Sequence, residues 1–102
     1  MSTDSKTRFG IKNFEKKFGR LTFGKVLEAY RTADEISLKD MAKKLGISSS
    51  SLCDLEKGRR IPSPSRAYEI AKIAGGPPKS WVRLALQDQL DQEGLKFIVS
   101  IA

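Results

Sequence analysis

The sequence predicts an all-α fold of five short helices followed by a short C-terminal β-strand. Apolar residues recur at helical spacing in separate stretches, most of them bounded by a Ser or Thr that can cap a helix and a Gly or Pro that can end it. The pattern changes to alternation only near the C-terminus. The 102 residues, 39% of them hydrophobic, suffice for one modest core. We therefore expect one helical domain over residues 22–94, between a partly disordered N-terminal arm (1–21) and a C-terminal strand (95–102).

The first two helices each follow a residue that can cap them. Thr22 precedes the first helix, which is predicted to run to about Asp34. Ser37 precedes the second helix, which ends at Gly46. The residues predicted to face inward are Val26, Leu27, Tyr30 and Ala33 in the first helix, and Leu38, Met41, Ala42 and Leu45 in the second.

The second and third helices are predicted to form a helix-turn-helix. Gly46 can adopt the left-handed conformation that ends the second helix, and Ser48 is placed to cap the third. Leu52 and Leu55 then face inward, which leaves an outward face on the third helix. In a DNA-binding helix-turn-helix this face lies in the major groove and contacts base edges. The residues predicted to read bases are Ser49, Ser50, Cys53 and Asp54.

Basic residues follow the third helix directly and also lie on the second. The residues expected to contact DNA phosphates are Lys57, Arg59, Arg60, Lys39 and Lys43. For Lys43 and its neighbour Lys44, an ordinary solvated helix face is an equally good interpretation. The formal net charge of +7 and the pI near 9.8 favour a polyanionic partner, here double-stranded DNA.

Prolines and glycines mark the last two helices. Ser63 and Pro64 are a helix start, and the fourth helix ends at Gly75. Pro78 opens the fifth helix, which ends at Gly94.

The C-terminal residues LKFIVSIA have the alternating pattern of a strand. The apolar stripe consists of Leu95, Phe97, Val99 and Ile101. A strand needs a neighbour for its backbone donors and acceptors, and two partners are open: the segment around Phe9 to Asn13, or the same strand of a second chain. We favour the second chain, which predicts a homodimer with two helix-turn-helix units.

The composition argues against an enzyme and against a bound cofactor or metal. With one cysteine and no histidine, the chain offers no Cys/His zinc site and no Ser-His-Asp or Cys-His pair. Asp88, Asp91 and Glu93 are clustered carboxylates, which we interpret as solvated charge on an outward helix face. For Cys53 we prefer a small groove-facing side chain to a redox sensor. No signal peptide or membrane span is apparent, so we expect a cytoplasmic, nucleoid-associated protein of bacterial or phage type.

Three aromatic residues near the N-terminus allow two interpretations. Phe9, Phe14 and Phe18 could cover the helical core of the chain itself, which is the interpretation that we prefer. They could instead dock a partner protein such as a toxin, with DNA binding secondary or absent.

Residues from Thr22 to about Ala74, about half of the chain, resemble the phage repressor and Cro type of helix-turn-helix, the XRE family. The resemblance rests on the stretches ISLKDMAKKLGIS and SSLCDLEKGRRIPS and on Ile70-Ala71 of the fourth helix. It implies a five-helix repressor-like domain in which Glu56, at the end of the recognition helix, pairs with Arg31 of the first helix. The chain departs from the family at Leu38, where members often have a glutamine that bridges to a phosphate.

A helix-turn-helix domain with a fifth helix and a C-terminal strand also resembles the small HigA-like antitoxins of toxin-antitoxin pairs. This resemblance implies a protein that neutralises a toxin and represses its own operon, whereas a phage or mobile-element repressor has the same parts. Together the residues and the resemblances predict a sequence-specific, dimeric DNA-binding repressor that autoregulates its operon. The alternative is an antitoxin or protein-docking module whose primary role is partner binding.

Overall fold

A computed structural model describes residues 20–102, which form five α-helices. The helices are α1 (Phe23–Ala33), α2 (Leu38–Leu45), α3 (Ser49–Glu56), α4 (Pro64–Ala74) and α5 (Pro78–Gln92). The helical class is thus confirmed for this part of the chain. None of these helices is long and apolar enough to cross a membrane. The predictions about Phe9, Phe14 and Phe18, and about a strand around Phe9 to Asn13, lie outside the described residues.

Four of the helices begin with the hydroxyl caps that the sequence predicts. The side chains of Thr22, Ser37, Ser48 and Ser63 each accept a hydrogen bond from the backbone N–H three residues further on. Such a cap satisfies one of the four N–H groups that a helix start leaves without a partner. These starts are therefore set locally, and they fix where each helix enters the core.

The core lies where α1, α4 and α5 meet behind the helix-turn-helix. The Trp81 ring is packed edge-on against the rings of Phe23 and Tyr30, with centroid distances of 5.6 and 5.0 Å. Aromatic pairs prefer this edge-to-face arrangement. The other fully buried large side chains are Leu27, Met41, Leu52 and Ile70. Every helix contributes at least one side chain to this cluster, so α2 and α3 pack against a shared core.

The start of α1 is held by carboxylates of α5. Asp88 accepts hydrogen bonds from the backbone N–H of Phe23, at 2.9 Å, and from the Arg20 guanidinium. Arg20 also contacts Asp91, with 2.9 Å between Nε and Oδ2. A carboxylate is stabilised at a helix N-terminus because the N–H groups there have no intrahelical partner. The prediction of solvated charge is therefore wrong for Asp88, whose side chain is only 11% exposed.

The predicted C-terminal β-strand is absent: residues 95–102 form no strand. The buried side chain of Gln87 takes the place of a neighbouring strand, because its Nε2 donates to the carbonyl of Phe97 and its Oε1 accepts from the N–H of Val99, both at 2.8 Å. Two backbone groups of the tail are satisfied in this way by a side chain of α5. Leu95 and Phe97, two residues of the predicted apolar stripe, are exposed, whereas Val99 and Ile101 are half-buried.

Replacing Gln87 by leucine should release the tail. We expect the exchange rate of the Val99 amide hydrogen to rise about fivefold, because a typical intramolecular hydrogen bond contributes ~1 kcal/mol. Hydrogen exchange followed by NMR measures this rate directly. Gln89→Leu is the matched control, since Gln89 is exposed on the same helix. An unchanged exchange rate at Val99 would mean that contacts other than those of the Gln87 side chain hold the tail.

Candidate nucleic-acid interface

A tight turn at Gly46 sets the direction in which α3 leaves α2. Gly46 has the left-handed backbone conformation, with φ of 69°, and the N–H of Ile47 donates to the carbonyl of Ala42 at 3.0 Å. Glycine is favoured here because a β-carbon disfavours positive φ. The half-buried Ile47 packs against the core at the corner. The turn therefore presents the start of α3 at the surface.

The two faces of α3 differ as the sequence predicts. Leu52, Leu55 and Glu56 are buried against the core. Of the four residues predicted to read bases, Ser49 and Ser50 are exposed in the first turn, and Cys53 and Asp54 are half-buried in the second. The four residues thus share a face that is accessible from outside. Ser51 belongs to the cap instead, because its N–H donates to the Ser48 hydroxyl and the Ser48 hydroxyl donates to Ser51 Oγ, both at 3.0 Å.

An ion pair between Arg31 and Glu56 anchors the end of α3 to α1. The guanidinium contacts the carboxylate twice, with distances of 2.7 Å from Nε to Oε2 and 3.2 Å from Nη2 to Oε1. Nη1 also donates to the carbonyl of Ile36, at 2.9 Å, in the connection between α1 and α2. The hydrogen bond to Glu56 is the largest cause that raises the pKa of Arg31 above its ordinary value. Arg31 therefore joins three parts of the fold.

The same end of α3 lies unusually close to Gly24 of α1. A β-carbon on Gly24 would lie 2.6 Å from the carbonyl oxygen of Glu56 and closer still to that of Leu55. No real β-carbon is accommodated at such a distance from a backbone atom. The missing side chain allows the two helices to pack at this separation, so Gly24 helps to fix the orientation of the outward face of α3.

Arg66 of α4 fixes the end of α2. Its Nη2 donates to the carbonyl of Leu45 at 2.9 Å, and its Nη1 contacts Glu69 at 3.3 Å. Cationic donors are favourable at a helix C-terminus, where carbonyl groups lack intrahelical partners. Sequence reasoning missed both Arg66 and Gly24. No sequence pattern predicts that Arg66 binds a backbone carbonyl 21 residues earlier. A glycine within a helix likewise gives no sign of which helix packs against it.

Arg59 does not extend away from α3 but lies along its outward face. Its backbone N–H donates to the carbonyl of Asp54 at 2.9 Å, and its Nε contacts Asp54 Oδ1 at the same distance. Nη2 lies 3.5 Å from the sulfur of Cys53. The hydrogen bond to Asp54, followed by the one to Cys53, raises the pKa of Arg59. The structure thus places Arg59, predicted as a phosphate contact, beside two of the residues predicted to read bases.

The other predicted phosphate contacts lie at the surface with few partners. Lys57 is 3.8 Å from a carboxylate oxygen of Glu28 and remains more than half exposed. Within residues 20–102, the side chains of Arg60, Lys39, Lys43 and Lys44 form no hydrogen bond or ion pair, and all four residues are exposed. Cationic groups therefore flank α3 on its C-terminal side and occupy the outward face of α2.

Comparison with known proteins agrees with this geometry. A helix-turn-helix family model matches residues 27–81. An uncharacterized HTH-type transcriptional regulator of Methanocaldococcus jannaschii is 41% identical over 49 residues, which cover 48% of this chain and 74% of that protein. Uncharacterized HTH-type transcriptional regulators of Mycobacterium bovis and Mycobacterium tuberculosis are each 31% identical over 81 residues, or 79% of this chain and 32% of theirs. No solved structure gives a significant match.

The fold, the capped turn and the exposed face of α3 define a helix-turn-helix protein. The family match covers more than half of the chain, from the middle of α1 to the first turn of α5. The chain belongs to the XRE-type helix-turn-helix family, the type found in phage repressors and Cro. Members of this family bind double-stranded DNA. The chain spans only about a third of the mycobacterial relatives, which are longer proteins.

Proposed function

We propose that this protein is a sequence-specific transcriptional repressor that binds DNA as a dimer and autoregulates its own operon. One observation carries the proposal: α3 has an exposed face with polar side chains, while its opposite face is buried and anchored through Glu56. A recognition helix must be held rigidly if its side chains are to meet base edges with fixed geometry. Relatives that are named transcriptional regulators support a role in transcription regulation.

Binding to the region upstream of the gene tests this function. We expect protection of an inverted repeat whose half-sites lie about ten base pairs apart, at about 150 mM salt with competitor DNA present. Reporter expression from the same region should fall when the protein is produced. Binding that is indifferent to sequence would contradict the proposal, because phosphate contacts alone give such binding.

Replacing Arg60 by alanine should reduce the salt dependence of DNA binding. If Arg60 contacts one phosphate per subunit, the slope of log affinity against log salt should become shallower by about 0.9 per half-site. Titrations at several salt concentrations measure the slope. Lys79→Ala is the charge-matched control because Lys79 is exposed at the start of α5. Equal slopes for the wild type and Arg60→Ala would remove Arg60 from the set of phosphate contacts.

The exposed tail supports the proposed dimer. Leu95, Phe97 and Ile98 are 42%, 64% and 87% exposed and lie close together in the chain. Apolar side chains grouped at a surface mark an interaction site. Two copies related by a two-fold axis could cover each other's tails and so join two helix-turn-helix units.

Replacing Ile98 by aspartate should therefore dissociate the dimer. Burial of an isoleucine side chain contributes ~1.5–3 kcal/mol, so we expect the dissociation constant to rise at least about tenfold. Sedimentation measurements over a range of concentrations give this constant. Gln89→Asp is the control because it introduces the same charge at an exposed position of α5. An unchanged dimer would place the interface elsewhere.

A toxin-neutralising or other protein-docking role is the second candidate, and the same exposed tail favours it. If the protein is a monomer in solution, and the product of a neighbouring gene binds it and covers Phe97 and Ile98, partner binding is the primary role. Methyl or amide NMR shifts of the tail would report this contact. A dimer whose tail is already covered would argue against it.

A further inference from the structure

The second turn of α3 and the residues just after it carry a charged pair at the outward surface. Arg59 Nε is 2.9 Å from Asp54 Oδ1, and the two side chains are 60% and 34% exposed. The pair is also tied through the backbone, because the N–H groups of Arg59 and Arg60 both donate to the Asp54 carbonyl, at 2.9 and 3.2 Å. Gly58, with φ of 78°, provides the turn that returns the chain toward α3. Arg59 is thus held beside α3 by its main chain as well as its side chain.

Both partners keep unused hydrogen-bonding capacity. A guanidinium has five N–H donors, and Arg59 uses one on Asp54 and one on the sulfur of Cys53. The second carboxylate oxygen of Asp54 accepts no hydrogen bond within the described residues. Donors and an acceptor therefore lie next to each other on a surface that also carries Ser49 and Ser50.

This arrangement is complementary to one kind of base pair. In the major groove a G·C pair presents two acceptors on guanine, N7 and O6, beside one donor, the N4 amino group of cytosine. Arginine binds guanine N7 and O6, and a carboxylate accepts from cytosine N4. Building on the repressor function proposed above, we propose that Arg59 and Asp54 act together to read one G·C base pair in each half-site.

The pairing also removes an electrostatic conflict. A lone carboxylate on a recognition face would be repelled by the phosphates that line the groove, and the cost would oppose binding to every sequence. Arg59 neutralises Asp54 without blocking its second oxygen. Arg60, which has no such partner among residues 20–102, stays available for a phosphate. Two adjacent arginines are thereby assigned different roles.

The test compares binding-site preferences selected from random DNA by the wild type, Arg59→Ala, Asp54→Ala and Arg60→Ala. We expect the wild type to select G·C at one position per half-site. Both Arg59→Ala and Asp54→Ala should lose the preference at that same position, by about tenfold to a hundredfold in relative affinity. Arg60→Ala should weaken binding to all sequences equally. Arg59→Lys should not restore the preference, since lysine lacks the planar fork of donors.

Each result has a separate meaning. If Arg59→Ala weakens binding to all sequences but keeps the G·C preference of the wild type, Arg59 does not read the base pair and the inference is overturned. If Asp54→Ala strengthens binding to all sequences and keeps the G·C preference, the carboxylate only repels DNA and the inference is likewise overturned. A wild type that selects no sequence would instead contradict the proposed function itself. Both side chains are at the surface, and thermal unfolding of each variant verifies that the fold is retained.

Discussion

Replacing Gly24 by alanine is expected to destabilise the protein by about 2 kcal/mol, although alanine is the better helix former. The added β-carbon would overlap the carbonyl oxygens of Leu55 and Glu56, which are backbone atoms and cannot rotate away. Overpacking of this kind costs about 1–3 kcal/mol and occasionally more. It outweighs the ~1 kcal/mol that alanine contributes over glycine within a helix. Chemical denaturation followed by circular dichroism measures the free energy of unfolding.

The sign of this effect makes the experiment decisive. If α1 and α3 were loosely packed, Gly24→Ala would stabilise the protein through helix propensity alone. Ala29→Ser, at an exposed position of the same helix, serves as the control and should change stability by less than about 0.5 kcal/mol. Because Gly24 contacts the end of α3, the proposed function predicts that Gly24→Ala, where it still folds, binds the upstream inverted repeat more weakly.

Replacing Glu56 by alanine is expected to cost about 3–5 kcal/mol of unfolding free energy. Glu56 is 2% and Arg31 13% exposed in their side chains, so the substitution leaves a largely buried guanidinium without its carboxylate. Removing one partner of a buried ion pair has a cost of this size because the remaining charge is only poorly solvated. Thermal unfolding should shift downward by about 4–8 °C for each kcal/mol.

A matched variant separates the charge from the contact. Glu56→Gln keeps an oxygen that can accept from Arg31 and preserves the volume, so we expect a smaller loss of about 1–2 kcal/mol. Glu69→Ala removes a carboxylate that contacts Arg66 at the surface and should cost less than about 1 kcal/mol. If Glu56→Ala and Glu69→Ala had equal effects, the Arg31 pair would be no more than a surface salt bridge.

The helices and the outward face of α3 could be predicted because their determinants are local. Thr22, Ser37, Ser48 and Ser63 cap helices through atoms three residues away, and helical periodicity alone separates Leu52 and Leu55 from Ser49 and Ser50. The turn at Gly46 follows from its backbone freedom. None of these features depends on where a distant segment lies.

The features that could not be predicted depend on contacts that form after the chain has turned back on itself, over separations from a few residues to more than sixty. Asp88 resembles a solvated carboxylate in sequence, yet it caps a helix that begins 65 residues earlier. The tail has the alternation of a strand, but the Gln87 amide satisfies two of the groups that a strand would pair. Arg59 lies in a basic cluster that suggests phosphate contacts, whereas the turn at Gly58 brings it back to Asp54. The sequence does not reveal which residues such turns of the chain bring together.

Two arginines outside the helix-turn-helix contact its helices near their ends, which matters for protein engineering. The helix-turn-helix over residues 37–56 depends on Arg31, which binds Ile36 and Glu56, and on Arg66, which binds Leu45. Both arginines lie outside the unit. Transplanting residues 37–56 alone into another scaffold would therefore leave the ends of α2 and α3 without these contacts. The proposed reading of bases by the outward face of α3 therefore implies that exchanging those side chains on this framework would change the DNA sequence bound while preserving the architecture.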